Sequence, residues 1–450
     1  MFLDEDLVGR QEDIELFNNI GCLDTFEGRL TVWLSINQTP RVRWEFEVAR
    51  GDYTFDALSL DTPPNKLTSW DGSNPQLVVE NPTFTYRGGR RRQSIGYAKQ
   101  VLYGDVGANA HYFDFYIPNT DFIREATGDD LKAITEALKN ESFKVEIGND
   151  WSIEIFTAQE VLNWLKPEKQ NRGSMITLKI RLFQTKQAFT SVQDLAVKSL
   201  IEAKQLISDL FLMLSYANGG HVKPVYVIAN KFVKSSTNQI RIENVAALAE
   251  APLISPQEEL EQGFIRSYGI KDLLDFIKCF PSFQRMLQTP HWREKCLVIL
   301  EWYFQATPRL SGRRRNALLP VVANALGTLL ENIAKLILVD EEPNPIQRKN
   351  NESLSAKPRI KELLNRIGIS GEDTVVENFV DIRNNSTHAK TKLIPLTEIQ
   401  QWEVVLRAVQ WVDEVLLWRL GYGGQYRQRN LRSDHGIQPR YDLSRRDSSW

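Results

Sequence analysis

The sequence predicts an α+β multidomain chain, with a β-rich N-terminal domain, a helical middle segment and a C-terminal all-α bundle. Two changes of pattern predict it. From about Gly21 to Thr185 apolar and polar residues alternate with a period of two, the spacing of strands with one buried face. From about Ser191 the apolar residues recur at helical spacing, and beyond a charged, proline-containing linker at Ala251–Gly263 they do little else. A length of 450 residues allows two or three domains with sizeable cores. The expected boundaries are 1–190 for the β-rich domain, 191–280 for a mixed, mainly helical bridge, 281–425 for the bundle and 426–450 for a basic flexible tail.

In the first domain the clearest strands are Arg29–Ile36, Arg41–Val48, Thr83–Arg87, His111–Ile117, Phe143–Ile147, Trp151–Phe156 and Met175–Phe183. Turn clusters such as Thr62-Pro63-Pro64-Asn65 and Gly148-Asn149-Asp150 separate them, and one short helix is expected around Asp129–Leu138. Gly88-Gly89-Arg90-Arg91-Arg92 is a glycine turn leading into three arginines between Tyr86 and Tyr97. A basic loop beside aromatics can hold phosphates and stack bases, whereas a plain solvated hairpin tip has the same composition. Trp33, Trp44, Trp70, Trp151 and Trp164 read as core fillers rather than as a platform.

The middle segment opens with a helix over Val192–Ala217 that stops at Asn218-Gly219-Gly220, followed by short strands at Val225–Ala229 and Gln239–Ile242. It reads as a bridge or as a subdomain leaning on the β domain. Asp194, Glu202 and Lys204 superficially resemble a metal-dependent nuclease set, but such a site gathers its carboxylates on adjacent strands, and one exposed helix face is the plainer reading.

Within the bundle Thr289-Pro290 is a helix start, with the helix running to Ala306. Gly312–Val339 is the longest helix, with a kink expected near Pro320 and a polar stripe of Asn324, Thr328, Glu331 and Lys335. A loop at Glu341–Glu352 and a short helix at Lys357–Ile367 come next. Thr374 with Glu377 forms a capping-box pattern opening another helix, and Thr397–Leu420 closes the bundle at Gly421. Tyr422–Trp450, with six arginines against three aspartates, shows no apolar periodicity.

With 55 basic against 57 acidic residues the net charge is −2, so any nucleic-acid site has to come from local patches. Cys22, Cys279 and Cys296 have neither metal-ligand spacing nor an even count, which fits a reducing cytoplasm. The acidic N-terminus lacks the marks of a signal peptide, and no apolar run is read as approaching the ~20 residues of a membrane span. The expectation is a cytoplasmic protein without membrane contact, cofactor or bound metal.

The stretch that carries chemistry is Thr374–Lys392. It places Arg383, Asn384 and His388 at the end of an amphipathic helix whose apolar stripe is Val375, Val376, Phe379, Val380 and Ile382. Asn384 and His388 share a face, while Arg383 lies roughly 140° from His388 at about 100° per residue. Two such helices packed across a two-fold axis would bring both arginines and both histidines to one phosphate. The rival pairs are Arg285 with His291, interrupted by Pro290, and Arg429 with His435, in the uncapped tail.

Arg-Asn-x3-His at the end of a bundle helix resembles the signature of the HEPN family, and the order of helices is similar to its Apea-like branch, which often carries a β-rich domain ahead of the bundle. The resemblance covers the C-terminal third firmly and the N-terminal half in general shape. It implies a dimeric, metal-independent endoribonuclease that uses the RNA 2′-hydroxyl as nucleophile and leaves a 2′,3′-cyclic phosphate and a 5′-hydroxyl, with DNA resistant. It further implies His388 as base or acid, Arg383 gripping the phosphorane, Asn384 orienting the imidazole or holding a phosphate oxygen, and a supporting acid, for which Glu331 and Asp381 are candidates. Lys390, Lys392, Arg427 and Arg429, with Arg90, Arg91 and Arg92, are candidates for RNA phosphate contact. Apea-like proteins are associated with abortive infection against phage. The β-rich domain would then restrain the nuclease until it meets a phage-derived or defence-complex trigger, a protein or a nucleic acid. The alternative is a non-catalytic HEPN dimerisation and RNA-binding module acting with a partner protein.

Overall fold

The computed structural model describes residues 6–23, 26–36, 40–48, 66–71, 74–80, 83–88, 93–120, 143–147, 151–157, 161, 174–184, 198–234, 239–251, 270–307, 315–387, 394–431 and 439–445. It divides into two compact units, one of residues 1–211 and 222–257 and the other of 212–221 and 258–450. Strands dominate the first and helices the second, so the α+β class holds. The expected helix at Asp129–Leu138 and the loop Arg90–Arg92 lie outside the described residues.

Among the described residues of the first unit, fourteen strands form one antiparallel sheet. In chain order they are β1 Ile14–Leu23, β2 Phe26–Ser35, β3 Arg41–Val48, β4 Lys66–Asp71, β5 Asn74–Glu80, β6 Thr83–Gly88, β7 Gln93–Ala98, β8 Gln100–Gly104, β9 Tyr112–Pro118, β10 Phe143–Ile147, β11 Trp151–Phe156, β12 Ile176–Gln184, β13 Tyr226–Lys234 and β14 Ile240–Glu250. Their order across the sheet is β10-β11-β12-β9-β13-β14-β8-β5-β4-β1-β2-β3-β7-β6. Alternation does the folding: on β3, Val42, Trp44, Phe46 and Val48 turn inward between exposed or half-exposed neighbours. These side chains join Leu30, Val32 and Leu34 of β2 and close against Tyr116 of β9, Tyr226 and Ile228 of β13, and Ala247 and Ala249 of β14 in a single core. Gly96 of β7 makes room for Trp44, since any Cβ there would meet the indole at 2.7 Å and the Thr83 carbonyl oxygen at 1.7 Å.

The segment read as a bridge is not a separate body. β13 pairs with β9 and β14 with β8, so both sit in the middle of the sheet. Helix α1, Leu200–Asn218, groups with the sheet as far as Phe211, which packs edge-on to Phe115, and with the helical unit from Leu212 onward. Its N-terminus is closed by a reciprocal pair: Ser199 Oγ accepts from the Glu202 amide, and the Glu202 carboxylate accepts from the Ser199 amide at 2.9 Å. That amide bond holds the Glu202 carboxyl below the usual carboxylate range. Lys204 is paired with Glu250. Glu202 is exposed, as the plainer reading expected, whereas Lys204 is half-buried by its pairing with the sheet; Asp194 lies outside the described residues.

One buried histidine gives this unit an acid-sensitive point. His111 is 5 % exposed, its Nδ1 accepts the Phe232 amide at 2.8 Å, and its ring stacks on that phenylalanine. Burial, helped by the Lys231 charge, pushes its pKa below the ordinary 6.5. The folded chain therefore binds this proton less readily than the unfolded chain. Stability should be unaffected by His111 above pH 6.5 and fall as the pH drops from 6.5 towards the depressed value. Urea melts at pH 7.5 and 5.5 should show a larger acid loss in the wild type than in His111→Asn, whose amide oxygen accepts the same bond without titrating. Equal losses in the two would refute the assignment.

The second unit, beyond the end of α1, contains α2 Ile270–Ile277, α3 Phe280–Gln288, α4 Pro290–Ala306, α5 Arg315–Lys335 continued by a π-helical turn Leu336–Asp340, α6 Pro345–Glu352, α7 Ala356–Arg366, α8 Asp373–Thr387 and α9 Glu398–Leu420. It thus begins earlier and ends later than 281–425. Pro320 lies within α5 on an exposed position. The π turn frees a backbone carbonyl at Leu338, which buried Asn351 takes up through Nδ2 at 2.9 Å. The expected capping box at Thr374 is absent, because α8 begins at Asp373 and Glu372 is engaged with Arg407. The box forms instead at Thr397 with Gln400, and α9 ends on Gly421 at φ 69°.

Two further expectations are corrected. Leu319–Asp340, 22 residues, is long and apolar enough to cross a membrane, although 67 % of its apolar window is buried inside the unit, as in the core helix of a bundle. The tail is not featureless: β15 Gln425–Leu431 and β16 Pro439–Arg445 pair as an antiparallel hairpin. Cys279 and Cys296 are buried and take part in no disulfide among the described residues.

Candidate functional site

The motif helix α8 is held by its apolar side. Val376, Phe379, Val380 and Ile382 are buried, and Phe379 meets Trp411 of α9 edge-to-face at 6.2 Å. That packing fixes the helix rotation and turns Arg383 towards α5. There the guanidinium Nη2 pairs with Glu331 Oε1 at 3.1 Å. The arginine stem lies along the α5 backbone at Gly327, where a Cβ would stand 2.8 Å from Arg383 Cγ and 3.1 Å from Nε. An apolar helix with a single glycine thus provides a slot for a cationic side chain, and one turn further on supplies the carboxylate that orients it.

Arg383 Nη1 also donates to Asn384 Oδ1 at 3.4 Å, a long contact. The helix end beyond is tied to itself: Ser386 Oγ donates to the Arg383 carbonyl at 2.6 Å, and Thr387 Oγ1 donates to the carbonyls of Arg383 and Asn384 at 3.2 and 3.3 Å. The carbonyls of Arg383 and Asn384 are satisfied in this way, which ties the backbone carrying those two residues to the side chains of the helix end. His388, Lys390 and Lys392 lie outside the described residues.

Of the two candidate acids, Glu331 meets Arg383 and Asp381 does not. Asp381 points to α7, where its Oδ1 lies 3.5 Å from Lys357 Nζ. The side chains of the pair Arg383 and Glu331 are 22 % and 32 % exposed, so both charges are held in place and still reach solvent. Arg383 Nε is buried without a partner among the described residues, so the donors left for a phosphate are the second N–H groups of Nη1 and Nη2.

Arg429 is corrected from surface contact to structure. It is 7 % exposed, its Nε donates to Asp413 Oδ2 at 2.8 Å, and its Nη2 donates to the Tyr303 hydroxyl at 3.0 Å. Tyr303 in turn donates to Asp413 Oδ1 at 2.6 Å. These donors are spent on joining β15 to α9 and α4. Arg427 lies on β15, and its side chain is outside the described residues. Among the tryptophans, Trp44 and Trp151 are core residues as expected, whereas Trp33 is half-exposed on the outward face of β2.

Sequence reasoning missed Gly327. Its signal was an isolated glycine inside an otherwise regular apolar helix, a pattern that generally marks close approach. Among the described residues no three metal-ligating side chains converge. Compared with protein-family models, with curated proteins and with solved structures, the chain matches none.

Proposed function

We propose that the helical unit is a metal-independent endoribonuclease of the HEPN type, acting as a two-fold dimer and restrained by the sheet unit until a phage-derived or defence-complex signal arrives. The observation that supports it most is the seating of Arg383, which is slotted over Gly327, oriented by Glu331 and carried at the anchored end of α8.

The chemistry needs little more than position and charge. A base removes the proton from the RNA 2′-hydroxyl, the 2′-oxygen forms a bond to phosphorus, and the bond from phosphorus to the 5′-oxygen breaks as that oxygen takes up a proton. The products are a 2′,3′-cyclic phosphate and a 5′-hydroxyl. Imidazole suits both proton transfers near neutral pH, and the His388 residues of two protomers could divide them. Arg383 stabilises the dianionic phosphorane through paired N–H bonds that strengthen as charge develops. Glu331 keeps that fork aimed, and Asn384 holds either the imidazole or a phosphate oxygen.

The test is incubation of the full-length protein with mixed tRNA and messenger RNA in excess chelator, alongside Arg383→Ala and His388→Ala, with end analysis of the fragments. Chelator-resistant cleavage leaving cyclic phosphate, slow in the unsignalled full-length protein because the sheet unit restrains it and lost in both variants, is the expected result. RNA binding that survives in His388→Ala without cleavage by any form would favour a non-catalytic HEPN module instead. Activity abolished by the chelator would sink the metal-free mechanism.

A further inference from the structure

The outward face of β2, β3 and β7 carries a row of side chains that RNA cleavage does not use. In register, Trp33 of β2 stands opposite Arg43 of β3, and Arg43 opposite Tyr97 of β7. The Arg43 guanidinium lies 5.2 Å from the Trp33 ring centroid, and that of Arg41 lies 5.3 Å from the Tyr97 ring. All four side chains reach solvent, whereas Val42, Trp44 and Phe46 between them on β3 are buried at 0 % exposure. Two large aromatics are thus displayed on the wet side of a sheet whose own core is already filled.

Charge separates this face from two of the other cation–aromatic contacts described in the unit, while Lys144 over Phe183 and Lys198 over Trp151 each bring one lysine to one ring rather than forming a row. Lys179 over Phe156 is paired with Asp6, and Arg181 over Tyr112 is paired with Asp114. Those cations are neutralised. Neither Arg41 nor Arg43 has a carboxylate partner among the described residues. Along the outward side of β3 the charges are sorted, with Arg41 and Arg43 at one end and Glu45 and Glu47 at the other. The aromatic row sits at the cationic end.

We infer that this face binds single-stranded nucleic acid. Trp33, Tyr97 and the guanidinium planes stacked on them offer flat surfaces to unpaired bases, and every base has a π-face to stack. Arg41 and Arg43, two residues apart on one strand, are spaced by about 7 Å, comparable to the step between successive phosphates of an extended single strand. Each presents a planar fork to phosphate oxygens. A duplex keeps its bases inside and offers this row only its backbone. An acidic peptide would satisfy the arginines and leave the rings unused. The inference does not depend on the ribonuclease reading, since every residue in it belongs to the sheet unit.

The test is fluorescence anisotropy of the full-length protein with a labelled 2′-O-methyl oligouridylate of about 12 nucleotides. The methyl group blocks cleavage, so failure to cut cannot be mistaken for failure to bind. The wild type should bind, and Arg41→Ala/Arg43→Ala should weaken binding at least tenfold. The same variant should lower the slope of log affinity against log salt by about 1.4, at ~0.7 for each single-strand phosphate that an arginine no longer neutralises. Trp33→Ala should weaken binding by a similar factor, and Arg43→Lys, which keeps charge without the plane, by less. A duplex of matched length and polyglutamate should compete poorly. The inference is overturned if the wild type does not bind the probe, if the double arginine variant binds as the wild type does, or if polyglutamate competes as well as the oligonucleotide. Because Arg41 and Arg43 lie on the surface, the double variant should keep the wild-type melting temperature, and its result stands if Trp33→Ala fails to fold.

Discussion

Asp413→Ala should destabilise the helical unit by roughly 3–5 kcal/mol, the cost of removing one partner from a buried ion pair. Asp413 is 0 % exposed and accepts two bonds, from Tyr303 Oη at 2.6 Å and Arg429 Nε at 2.8 Å. The arginine is wrapped further, since its amide donates to Gln410 Oε1 at 2.7 Å and its Nη2 to Tyr303. Nearby, Tyr426 donates to Glu414 Oε1 at 3.1 Å. Removing the carboxylate therefore strands a guanidinium in a buried site without its counter-charge. The opposite change is informative: Asp413→Leu with Arg429→Met, which removes both charges at similar volume, should recover most of the loss. Urea unfolding of the two singles and the double gives the coupling directly. A cost below about 1 kcal/mol for Asp413→Ala would mean that the pair is solvated after all and behaves as a surface pair.

That network also shows where sequence reading stopped. A hairpin whose buried residues include Tyr426 and Arg429 inverts the apolar-in pattern by which strands are recognised, so the tail reads as solvated charge. The counterpart signal was present in α9, where Asp413 and Glu414 interrupt a run of apolar residues, but their partners lie on β15, beyond the helix's own end. β1 was hidden for a different reason. Its register shifts between Glu15 and Phe17, so adjacent Leu16 and Phe17 are both buried and the alternation breaks. Strands without such a defect, β3, β10 and β11, were legible to the residue. The division at 190 failed because strand pairing is non-local: β13 and β14 belong to a sheet whose neighbouring strands lie far away in the chain.

At the motif, periodicity placed Arg383 and Asn384 on the right helix, and the polar stripe of α5 brought Glu331 into view without saying whether it faced solvent or a partner. Asp381 went the other way because the two steps along the helix from Arg383 rotate a side chain by about 200°. Trp33 could have been read correctly from β2 alone. Leu30, Val32 and Leu34 define its buried side, and a residue out of phase with them belongs on the other.

The slot under Arg383 supplies the sharpest test of the proposed chemistry, because Gly327→Ala should separate activity from stability. Alanine in a helix interior is favoured over glycine by about 1 kcal/mol. The new methyl would stand 2.8 Å from Arg383 Cγ, 3.1 Å from Nε and 3.4 Å from Cδ, and a mid-chain carbon cannot be accommodated by moving only the tip of the side chain. Arg383 must swing off α5 and leave Glu331. The half-exposed ion pair that breaks is worth less than about 1 kcal/mol, so the melting temperature should hold or rise slightly. Cleavage, however, depends on where the guanidinium stands when charge appears on the phosphorane, and displacing one such donor costs on the order of a hundredfold. Rates and melting curves of wild type, Gly327→Ala, Arg383→Ala and the double variant decide the matter. If the glycine acts only by seating the arginine, adding Gly327→Ala to Arg383→Ala changes the rate no further. An additional loss in the double variant would mean that the α5 backbone itself lies against the RNA, and an unchanged rate in Gly327→Ala would remove Arg383 from the reaction.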